Sequence, residues 1–167
     1  MPKQTTTKEY LRTINIFYYM QMFVIMAFGC VVLYLIQSGR AGTGNPELGA
    51  ILQSVLMIEI AISVIGGYFL FRYMIRKIES SFPLRKKIPK YFAALLMRST
   101  LFELPALFAG IVAFVNVQLA YLSIIPVVFA IFYLLRPTPD MIAQDLQLTP
   151  EERTLFDNPE AIIAEVD

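Results

Sequence analysis

Apolar residues fall in long runs, separated by short clusters of glycine, proline and charge. A helix needs about 20 such residues to cross roughly 30 Å of hydrocarbon at about 1.5 Å per residue. Four stretches meet that length: Ile14–Leu35, Leu48–Phe71, Tyr91–Val115 and Val117–Leu135. The last two form one apolar block that is too long for a single crossing, so Val115-Asn116-Val117-Gln118 is expected to turn the chain back. The pattern predicts an all-α polytopic membrane protein, with four transmembrane helices arranged as two hairpins.

Polar sequence divides the rest. Residues 1–13 form an N-terminal segment, residues 14–135 the transmembrane domain and residues 136–167 an acidic helical tail. The first run resembles the core of a signal peptide behind Lys3, Lys8 and Arg12, but it is long and no A-x-A-type site follows, so an uncleaved helix is expected. In the tail, Thr138-Pro139-Asp140, Thr149-Pro150-Glu151-Glu152 and Asn158-Pro159-Glu160 each place a capping side chain before proline. Thr149 and Glu152 have capping-box spacing, so two or three short helices are predicted there.

Composition supports the membrane class: 57% of the 167 residues are hydrophobic, and the mean hydropathy is +0.60. The net charge of +1 hides strong segregation. Basic residues lie in the N-terminal segment and in loop 72–90, which carries Arg72, Arg76, Lys77, Arg85, Lys86, Lys87 and Lys90. By the positive-inside tendency, the termini and this loop are expected in the cytoplasm, with the chain in the inner (plasma) membrane. The basic side chains are assigned to anionic lipid headgroups and the acidic tail to solvent. The alternative is that the tail docks on the loop.

With one cysteine and no histidine, the chain alone provides no disulfide, no Cys/His zinc site and no Ser-His or Cys-His nucleophile. No phosphate-binding glycine loop and no basic-aromatic nucleic-acid pattern is present. No enzyme activity, cofactor, metal or nucleic-acid partner is therefore expected.

The candidate chemistry lies inside the spans. Glu59 and Glu103 are carboxylates near the middle of the second and third runs, where facing lipid would cost about 2.5–3.5 kcal/mol. Ser99, Glu103, Ala106 and Gly110 share one helical stripe, and Glu59, Ser63 and Gly66 or Gly67 share another. Both acids fall near the same depth, so they are expected to face each other. Pro105 frees the carbonyl of Leu101, with Ser99, Thr100 or water as its partner. Arg98 lies about 140° round the helix from Glu103, so snorkelling to the headgroups is its default and a cross-helix ion pair the alternative. Asn15, Gln21, Gln53, Asn116 and Gln118 are assigned no chemistry.

Two stretches, KIPKYFAALLMRSTLFELPALFAGIVAF and RPTPDMIAQDLQLTPEE, resemble a family of small four-span bacterial integral membrane proteins of uncharacterised activity. Glu103, Pro105, Ala106, Arg136, Pro137 and Thr138 stand at the pattern's places, with Phe102 in place of a leucine; the first half of the chain matches weakly. The resemblance implies fold and membrane location and no activity. Small multidrug transporters, glutathione-using membrane enzymes and c-type rotor subunits fit less well, because their key acid, Asn-Arg-Tyr positions and glycine repeats are missing.

Two functions follow as expectations. The first is a non-enzymatic membrane protein, self-associating or an accessory subunit of a larger complex, with the acids as buried helix anchors. The second is a small proton- or cation-coupled transporter or channel using Glu59 and Glu103.

Overall fold

The computed structural model describes residues 3–42, 46–79 and 81–166. Strand β1 (Lys3–Thr6) leads directly into α1 (Thr7–Gln37), followed by α2 (Pro46–Arg76) and α3 (Leu84–Asn116). A short 3-10 turn (Leu119–Ser123) opens α4 (Ile124–Leu134), and α5 (Pro139–Asp145), α6 (Pro150–Asp157) and strand β2 (Ile162–Val166) complete the chain. The protein is thus helical, with one short ribbon joining its two ends.

The helices α1, α2 and α3 are each long and apolar enough to cross a membrane. The stretch Leu119–Leu134 meets the same test only together with Pro139–Asp145, from which it is bent by 76°, giving three to four candidate spans. At 31 to 33 residues the three long helices reach about 46–50 Å. That exceeds the hydrocarbon thickness of about 30 Å, so each has turns to spare outside it.

The arrangement centres on α3, on which α1, α2 and α4 all pack, whereas α1 and α2 hardly touch. Direction follows from the contacts. Tyr10 reaches the carbonyl of Ile88 and Phe28 sits beside Gly110, so α1 and α3 run parallel. Gly49 lies beside Asn116 and Gly67 beside Phe102, so α2 runs opposite. The chain reverses after α3 at Val117, which takes the left-handed conformation (φ 52°) while its N–H still bonds to the carbonyl of Ala113.

Small residues set the approach of α2 to α3. A Cβ on Gly67 would stand 2.8 Å from Phe102, whereas one on Gly66 would meet nothing. Gly67→Leu is therefore expected to cost about 1–3 kcal/mol by overpacking, and Gly66→Leu to change stability by less than about 0.5 kcal/mol. Reversible unfolding in mixed detergent micelles separates the two.

At the basic end, the spare turns of α1, α2 and α3 are not bare. Ile142, Phe156 and Ile163 from the tail are buried in one core with Tyr10, Ile14, Leu84 and Ile88. Strand β2 pairs antiparallel with β1, with Thr5 opposite Ala164 and a register irregularity before Thr6. A helix start leaves N–H groups without intrahelical partners. Here the carbonyls of Ala161 and Pro159 accept from Thr7 and Lys8, so the tail supplies part of the cap of α1. Thr6 and Glu9 complete a capping box there.

The tail departs from its expected form in one respect. Thr138 and Thr149 do cap α5 and α6, the latter through a capping box with Glu152. Asn158-Pro159-Glu160 starts no helix: the Asn158 side chain accepts from the N–H of Glu160 in a local turn, and the chain then extends into β2.

Candidate functional site

The polar residues inside the bundle fall into three groups. The first joins α1 to α3. Gln21 lies on the buried stripe of α1 with Ile14, Tyr18 and Ile25, and its Nε2 donates to Glu103 Oε2 at 3.2 Å. The amide oxygen of Gln21 is buried and unpartnered. Around this bond the contact is close: Ala106, Gly110 and Ser99 are buried, and a Cβ on Gly110 would overlap Phe28. Glu103 is therefore turned toward α1, and Gln21, which the sequence reading passed over, is its partner.

Glu59 stands elsewhere. Its carboxylate accepts from Ser63, one turn along its own helix, at 2.7 Å, and its other oxygen is buried without a partner. Glu59 and Glu103, expected to face each other, are hydrogen-bonded to different elements, Glu59 within its own helix and Glu103 to α1. Ser99 also departs from expectation: its hydroxyl bonds back to the carbonyl of Leu96 rather than to Leu101. Helix α3 continues through Pro105, which lines a small apolar cleft of about 260 Å³ with Phe102, Ile60, Val64 and Val127.

The second group is built on Arg98, which does not snorkel and, among the described residues, pairs with no acid. It is 94% buried, since its relative exposure is 6%. Its guanidinium donates to Tyr18 Oη at 3.2 Å and to the carbonyl of Leu135 at 3.1 Å, and it stacks over the Phe71 ring at 4.2 Å. Tyr18 donates to the same carbonyl. Leu135 is the C-terminal cap residue of α4, where carbonyls lack intrahelical partners and the helix dipole is negative. Arg98 thus caps a short helix that ends inside the bundle. Next along, Arg136 donates to Asn15 on α1 at 3.1 Å, which gives Asn15 a structural role as well.

The third group lies at the basic end. Lys87, expected at the lipid headgroups, is fully buried, and its ammonium bonds both oxygens of Glu152 at 2.9 and 2.8 Å. Tyr91, one turn on, donates to Asp145 of α5 at 3.3 Å. The acidic tail is docked on the basic segment here, with the solvated-tail expectation set aside. The remaining basic residues, Arg72, Arg76, Lys77, Arg85, Lys86 and Lys90, are exposed. Lys77 and Lys90 sit over the rings of Tyr73 and Phe82. Arg72 approaches Asp145 at 4.0 Å.

Compared with family models, curated proteins and solved structures, the chain finds no match. Among the described residues, no three His, Cys, Asp or Glu side chains come together as a metal-binding group.

Lys87 and Arg98 were legible in principle. Leu84, Lys87, Tyr91, Ala94, Arg98, Phe102 and Pro105 are spaced by three or four and are all buried, so both cations lie on the core stripe of α3. A cation on such a stripe calls for a partner from another element.

Proposed function

We propose that the chain is a non-enzymatic integral membrane protein, self-associating or an accessory subunit of a membrane complex. In this reading it has four spans in the inner membrane, with both termini and the docked tail in the cytoplasm. The resemblance of its second half to small four-span bacterial membrane proteins supports the four spans and the membrane location, and implies no activity.

The observation that carries the anchor role of the acid is the Gln21–Glu103 hydrogen bond between two helices, set in a close small-residue contact. A carboxyl group held by a neutral amide and packed against glycine and alanine fastens helices together, as polar side chains do between spans. In the same view the exposed apolar faces of α1 and α2 meet lipid or other subunits.

The alternative, a proton- or cation-coupled transporter, draws on Glu59, whose second oxygen is buried and unpartnered. The two readings differ in what neutral replacements do. In the anchor reading, Glu103→Gln keeps the inter-helix hydrogen bond and stays within about 1 kcal/mol of the native protein, whereas Glu103→Leu strands the Gln21 amide and costs about 1–3 kcal/mol. Reconstituted native protein and Glu59→Gln would then show equal, background proton and cation flux. Flux above background that Glu59→Gln abolishes would establish the transporter instead.

A further inference from the structure

Beside the docked tail, a polar cavity of about 640 Å³ opens between the end of α2 and the turn that follows α5. Its polar lining is Arg72, Arg76, Glu79, Gln144, Asp145 and Gln147. Two guanidiniums and two carboxylates therefore face one space with no net charge. Arg72 lies against Tyr68 and approaches Asp145 only at 4.0 Å, and among the described residues Arg76 has no carboxylate within ion-pair distance. Both arginines have donors to spare, in the planar fork that suits phosphate oxygens.

The cavity also has an approach. On α2, Ile58, Ile62, Ile65 and Phe69 are spaced by four, three and four residues, and all are exposed. The same spacing continues to Arg72 and Arg76, so an exposed apolar track on one helix face runs into the cavity. Exposed Tyr68 and Tyr73 flank the junction, where interfacial aromatic residues belong.

We infer that this cavity binds the headgroup of a zwitterionic glycerophospholipid bearing a primary amine, with its phosphodiester on Arg72 and Arg76, its ammonium on Glu79 and Asp145, and its acyl chains along the α2 track. The inference rests on the chain lying in a bilayer, and not on its oligomeric state. A purely anionic headgroup would leave the two carboxylates facing negative charge. A quaternary amine would offer them no N–H.

The test is lipid titration of the delipidated full chain in detergent, read by native mass spectrometry. Phosphatidylethanolamine is expected to be retained as one molecule per chain, at least about fivefold over phosphatidylglycerol and phosphatidylcholine, with about a tenfold loss in Arg72→Gln/Arg76→Gln. Arg76→Gln alone, a change at an exposed side chain, should lose part of it, and Lys77→Gln, outside the cavity, none. Equal or better retention of phosphatidylglycerol would overturn the inference, as would binding that ignores both arginines. Displacement by equimolar inorganic phosphate or phosphoethanolamine would assign the site to a soluble phosphate compound and overturn the lipid assignment.

Discussion

Glu152→Ala is expected to lower stability by about 3–5 kcal/mol, because it leaves the ammonium of Lys87 fully buried with no counter-charge. It also removes one half of the capping box that starts α6. Glu152→Gln separates the two effects, since glutamine preserves the cap but not the charge. The double replacement Lys87→Met/Glu152→Gln removes the buried cation as well, and is expected to be more stable than Glu152→Gln alone. Hydrogen exchange in lipid nanodiscs reads the consequence locally: amides of α6 and β2 should lose protection in the single variants and regain it in the double. Unchanged protection in Glu152→Ala would mean that the apolar core, the β1–β2 ribbon and the Tyr91–Asp145 bond hold the tail without this ion pair.

Arg98→Ala is expected to cost about 1.5–3 kcal/mol, the range for hydrogen bonds to charged groups. The loss should appear at one place, the C-terminal end of α4, where Tyr18 would be left as the partner of the Leu135 carbonyl. Tyr18→Phe removes that second donor but leaves the guanidinium, and should cost about 1 kcal/mol. The two changes share one carbonyl and are expected to be non-additive. A fully additive double variant would show that Arg98 and Tyr18 act independently.

The long helices and the reversal at Asn116 and Val117 could be read from the chain because they depend on local apolar length and a local break. So could the caps of α5 and α6, which depend on residues three apart. The docking of the tail could be read only as an alternative, because it depends on pairings far apart in the chain: Lys3 with Val166, Lys87 with Glu152, Thr7 with Ala161. No local periodicity encodes such partners. The same limit explains the acids. Small-residue stripes placed Glu103 on a helix contact, but which neighbour covers that stripe is set by the packing of α1 on α3. Gln21 bonds Glu103 as a result, while Glu59 is bonded to Ser63 on its own helix.

The proposed association, with itself or with a larger complex, meets its most direct test in native mass spectrometry of the chain released from its source membrane in its own lipids. The account predicts a fixed ratio of more than one protein chain, either copies of this one or a stoichiometric foreign subunit. A monomer accompanied by lipid alone would contradict it.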